Sequence, residues 1–188
     1  MADATNRMVN ANETMAKTAR ADFTYRFSPT IQIKDPILVK KDGMQGLEVE
    51  ITNPHSVMTI KDLEVRLFAY SNDKSYTSLD GPHTESDGVR TNLSQIPLEI
   101  FPNSSKYVRT WNLSDEILEN LQVLIVVAKF PDYLTLKNKY VQRAFRCERK
   151  GNNFDQLPPE QVRKHLQMLY ENGSLTEGYD LDLSTVEI

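Results

Sequence analysis

The sequence predicts a mainly all-β fold, an antiparallel β-sandwich with a flexible N-terminal arm and a C-terminal α-helix. Three observations carry this. The run Leu121-Gln-Val-Leu-Ile-Val-Val-Ala128 is the most apolar stretch; rich in β-branched residues and far shorter than the roughly 20 residues of a bilayer span, it reads as a strand buried on both faces. Segments on either side alternate apolar and polar residues with period two, the pattern of half-buried strands. Turn-forming residues recur at short intervals, and helical spacing is strong in only one late segment, which favours antiparallel strands over a parallel sheet with crossover helices.

Taken in order, residues 1–21 hold no aromatic side chain and nearly balance their charges, two acids against three bases, so they are expected to form a flexible arm with a short helix at 12–17. The β domain is expected over 22–150. Phe23, Tyr25 and Phe27 alternate as one strand until Pro29 removes a donor. Ile31 and Ile33, then Ile37 and Val39, give two short strands closed by the turn Lys41-Asp42-Gly43. Leu47, Val49 and Ile51 form a strand ending at Asn53-Pro54, and Leu63, Val65, Leu67 and Ala69 form the next; these two are expected to pair.

Residues 71–94 are polar and read as a long exposed excursion. A brief strand at 97–101 and a longer one carrying Tyr107, Arg109 and Trp111 on one face follow, then a helical turn capped by Ser114. The segment 140–147 sets Val141, Phe145 and Cys147 against Gln142, Ala144 and Arg146. Residues 151–188 hold an amphipathic helix that begins at Pro158-Pro159, carries Val162, Leu166 and Leu169 on one face and stops near Gly173, and then an acidic tail. The phrase Leu47-Glu-Val-Glu-Ile-Thr-Asn-Pro54 followed by Ile60-Lys-Asp-Leu-Glu-Val-Arg-Leu67 resembles the opening of many immunoglobulin-like domains. Together with the strand count it makes the expected sandwich immunoglobulin-like or jelly-roll-like, and it implies no activity.

The net charge of -4 argues against a surface built wholly for nucleic acid or anionic lipid. One cysteine cannot close an intrachain disulfide, and the first residues lack the apolar core of a secretory signal. An intracellular, cytoplasmic and soluble protein without a transmembrane segment is therefore expected. Sequons at Asn12, Asn92, Asn103, Asn112 and Asn172 are read as chance.

No motif demands a chemistry. His55 and His83 fall in expected loops and His165 borders the late helix, none at metal-ligand spacing. Cys147 shares a face with Val141 and Phe145 and reads as a structural thiol despite its basic neighbours. Gly-x-Ser-x-Gly and the phosphate-cradling glycine loops are missing from the sequence. No catalytic residue, metal ligand or cofactor is expected, and the chain is not expected to be an enzyme.

The clearest charge feature is the basic stripe Lys137, Lys139, Arg143, Arg146, Arg149 and Lys150, followed by a tail with seven acids and two bases. It suits contact with an anion, nucleic acid, an acidic membrane surface or a protein partner, or else protection of a sheet edge. Tyr133-Leu-Thr-Leu136 and the C-terminal Val186-Glu-Ile188 fit short recognition patterns that chance also produces. The leading expectation is a structural or interaction protein that assembles with itself or a protein partner through its sandwich and terminal extensions. The alternative is a nucleic-acid or acidic-surface binder of viral structural, matrix or movement type.

Overall fold

From Ala2 to Phe27 the chain contains neither Gly nor Pro and holds six Ala, three Arg and two Met, a composition compatible with a helix. The computed structural model describes residues 2–79, 84–86, 89–90, 98–111, 113–148 and 153–175, and it opens with one helix, α1 (Ala2–Phe27). Two expectations are corrected here. The stretch read as a flexible arm is helical, and Phe23, Tyr25 and Phe27 belong to the last turns of that helix, not to a strand. Pro29 stops it by disfavouring helical backbone at Ser28.

The strands are β1 (Gln32–Ile33), β2 (Ile37–Lys41), β3 (Met44–Asn53), β4 (Ile60–Ser71), β5 (Tyr76–Ser78), β6 (Thr84–Ser86), β7 (Val89–Arg90), β8 (Leu98–Ile100) and β9 (Ser104–Trp111). The short α2 (Asp115–Asn120) leads into β10 (Leu121–Asp132), β11 (Lys137–Glu148), β12 (Asn153–Gln156) and α3 (Pro159–Glu171). One antiparallel sheet has the order β1-β3-β9-β6-β7 with β2 also on β3; the other is β12-β11-β10-β4-β5 with β8 also on β4. The expected sandwich with a C-terminal helix is what forms.

The expected pairing of β3 with β4 does not occur, because the two strands lie in opposite sheets. The fully buried Asn53 decides this. Its amide donates to the carbonyls of Met58 at 2.6 Å and Ile100 at 3.1 Å, and its Oδ1 accepts from the His55 amide at 3.0 Å. Those bonds hold the connection as an arch from one sheet to the other. Leu47, Val49 and Ile51 then share one core with Leu63, Val65 and Leu67. Alternation states that each strand has an apolar face, which either arrangement satisfies.

The turn at Lys41-Asp42-Gly43 forms as expected, with Asp42 and Gly43 at φ of 52° and 80°. The excursion over 71–94 is only partly the exposed stretch foreseen. β5 returns to β4, β6 joins β9, and Leu79 is buried; the residues between these elements, His83 among them, lie outside the described set.

β10 is buried on both faces, as its run of apolar residues requires. Leu124, Val126, Ala128 and Phe130 belong to the core between the sheets. Val123, Ile125 and Val127 pack under α3 against Val162, Leu166 and Leu169. Ser114 caps α2 by accepting from the Ile117 amide at 3.2 Å. α3 ends at Gly173, whose φ of 68° suits the residue that turns a helix off.

α3 is also pinned by a polar contact at its edge. Tyr76 Oη lies 2.9 Å from His165 Nδ1, and the Tyr70 ring meets the His165 ring edge-on at 5.1 Å. Burial, and then the neighbouring Lys164, hold the imidazole below its ordinary value of 6.5. A lowered folded value means that the native state takes up its proton less readily than the unfolded chain. This contribution to stability is full above the unfolded range and is lost as pH falls through it. Thermal melts between about pH 8 and about pH 5 should show Tm falling on the acid side, and His165→Gln should lessen that fall. An unchanged acid limb in the variant would remove His165 from the account.

Candidate interaction surface

Three connections meet at one end of the sandwich: β3 to β4, β8 to β9, and β10 to β11. The registers Ile60 with Ile100, Asn53 with Ser104 and Asp132 with Lys137 place them there, and the Asn103 amide donates to the His55 carbonyl at 2.8 Å. From them Val57, Phe101, Tyr133, Leu134 and Leu136 project as exposed apolar side chains, Val57 at 67%, Phe101 at 57% and Leu136 at 90% relative exposure. Tyr133 marks the closeness of the loops. Its phenol is pushed up by burial and then by the charges of Asp62 and Glu99.

The β10–β11 turn is rigid. The Thr135 and Leu136 amides donate to the Asp132 carbonyl at 3.2 and 2.8 Å, and the Leu134 amide donates to Asp132 Oδ1 at 2.9 Å. Asp132, almost wholly buried, also faces Lys139 Nζ at 3.6 Å. Leu136 sits at φ 57°, a conformation that costs a β-carbon residue about 1–2 kcal/mol. A leucine both strained and exposed brings no packing energy to its own fold. Tyr133-Leu-Thr-Leu136, which fits a sorting-type tetrapeptide, folds as a closed turn, and Val186-Glu-Ile188, which fits a strand-addition pattern, lies outside the described residues.

α1 departs from the same end. His55 Nε2 lies 2.7 Å from the Ser28 carbonyl oxygen, and Lys139 Nζ donates to Ser28 Oγ and, at 3.5 Å, to the Pro29 carbonyl. His55, expected to be a solvated loop residue, thus clips the end of the helix to the sandwich. Every residue from Met8 to Phe23 is exposed.

The residues of the expected basic stripe are dispersed. Lys137, Lys139 and Arg143 share one face of β11 and Arg146 lies on the other, while Arg149 and Lys150 fall outside the described residues. Lys137 is exposed, Lys139 is engaged with Asp132, Ser28 and Pro29, and Arg143 donates to the Gln142 carbonyl at 2.9 Å. Burial lowers the pKa of the Arg143 guanidinium. β12 pairs only with Phe145–Glu148, so the Lys137–Ala144 part of β11 has no strand on its outer side among the described residues.

The opposite end carries two adjoining clefts. One, of about 460 Å³, is lined by Tyr70, Gln122, Arg146, Gln161 and His165, with Cys147 at its edge. The other, of about 580 Å³, has Asp115, Glu119 and Glu148 around Leu38 and Leu118. Cys147 is half-buried and packs against the core, as its strand face implied. Among the described residues no three His, Cys, Asp or Glu side chains cluster to hold a metal, and no helix is long and apolar enough to cross a membrane.

The loop-end surface escaped sequence reading because its residues are spread over three connections. The one available signal was Tyr133-Leu-Thr-Leu136, an apolar tip where a polar turn is usual. Neither a protein-family model nor a curated protein matches this chain.

Proposed function

We propose that this is a non-enzymatic assembly protein that associates with its own kind through the loop end of the sandwich. The observation that carries the reading is Leu136, held at positive φ with its side chain 90% exposed among Val57, Phe101, Tyr133 and Leu134. Apolar side chains exposed together at one end of a fold cost free energy in water, which association recovers. The buried Asp132, anchored by Lys139, supports the reading because it fixes the turn before any partner arrives. Among the described residues the basic side chains of the stripe fall on two faces of β11, which gives the anion-binding alternative less support.

Light scattering over a range of concentrations tests this. The wild-type chain should gain mass with concentration. Leu136→Asn should remain monomeric, because asparagine tolerates positive φ and carries no apolar surface. Its Tm should match or slightly exceed that of the wild type, since the strain is relieved. A wild-type chain that stays monomeric at all concentrations, or a variant that associates equally well, would sink the reading.

A further inference from the structure

We infer that the surface covering the loop end is helix α1 of a second copy, and that two chains exchange these helices reciprocally about a two-fold axis. This rests on the self-association just proposed and specifies its geometry. At 100° per residue, Met8, Val9, Asn12, Met15, Ala16, Ala19 and Phe23 fall within about 120° of arc on α1. Met8 and Met15 are 67% and 62% exposed. Glu13 and Lys17 lie outside that arc, with Arg20 at its margin. The helix therefore has an apolar side that its own sandwich does not cover.

The helix is not docked on its own loop end, since residues 8–23 are all exposed. α1 is about 39 Å long at 1.5 Å per residue. It contains neither Gly nor Pro, so it has no built-in hinge to bend back onto its own loop end. Its exit is fixed by His55 and Lys139 at Ser28 and Pro29. The described helix face and the loop tip are thus two apolar surfaces on one chain that are both left exposed within it. Because both are at the same end, one two-fold contact lets each copy's helix cross to the other's tip, and the assembly closes without a leftover surface.

The areas agree with this. A large side chain carries about 150–250 Å². At the observed exposures the five tip residues offer on the order of 500 Å² and the helix stripe about 300 Å² more. Together that is about the 800 Å² per partner of a stable interface.

The test uses full-length chains in a Cys147→Ser background, one pool with Met15→Cys and another with Leu136→Cys, mixed and treated with a short bismaleimide. A covalent dimer at least tenfold more abundant in the mixture than in either pool alone is the expected result. In the native background, Met15→Glu and Met8→Glu should each weaken dimerisation at least tenfold by light scattering. Dimers that survive both changes and give no mixed cross-link would overturn the exchange and leave loop-end association standing. A wild-type chain that never dimerises would overturn both.

Discussion

Phe145→Ala is expected to cost about 3–5 kcal/mol, the usual penalty for removing a buried aromatic ring and leaving a cavity. Phe145 is fully buried in the core between the sheets and stands opposite Leu124 in the β10–β11 register. A domain stable by about 5–15 kcal/mol would lose a large share of its margin. For a chain of this size Tm should drop by about 6–20 °C. Urea titration should show a lower midpoint with an unchanged slope, because the surface exposed on unfolding hardly differs. A loss under about 1 kcal/mol would mean that the ring does not sit in a packed interior.

Gly46→Ala is expected to be nearly as damaging although it adds a single methyl group. Gly46 stands opposite Trp111 in the β3–β9 register. A β-carbon there would drive into the Thr110 carbonyl oxygen and come within 2.9 Å of the Trp111 ring. The first neighbour is backbone in a paired strand and cannot move aside cheaply. The cost should reach the upper part of the roughly 1–3 kcal/mol range for overpacking, or exceed it. Chemical denaturation measures it directly. Gly43→Ala makes a useful contrast: nothing lies within 4 Å of its added β-carbon, but its φ of 80° is unfavourable for alanine. Its penalty should therefore stay near the 1–2 kcal/mol of a left-handed residue. Equal costs at the two glycines would argue against the close approach at Trp111.

Much of the local structure was readable because it depends on neighbours in sequence. The double burial of β10 followed from an apolar run with no polar alternation, and α3 from its two prolines, its Val162, Leu166 and Leu169 spacing and its terminal glycine. Cys147 on the core side of β11 followed from period two alone. The aromatic alternation at Phe23, Tyr25 and Phe27 misled, since a helix without Gly or Pro extended through it and overrode a three-residue strand pattern.

What depended on distant partners was not readable. The separation of β3 and β4 into two sheets turns on Asn53 reaching Met58 and Ile100, a bond across 47 residues in the second case. The candidate surface was less legible still. Apart from Tyr133-Leu-Thr-Leu136, its apolar residues are spread over separate connections, while the described basic residues, a run in sequence, fell on two faces of β11.

By itself, then, the sequence determined which residues face a core, where the backbone turns and that the architecture is antiparallel β with a covering helix. These are properties of periodicity and of single-residue backbone preference, which act over a few residues. Only the tertiary structure decided which apolar faces share a core, which end of the sandwich bears Val57, Phe101 and Leu136, and that α1 leaves from that end. Alternation fixes the direction of a side chain relative to its own strand. Its neighbours are set by loop closure and by long-range hydrogen bonds such as those of Asn53, for which local pattern supplies no constraint.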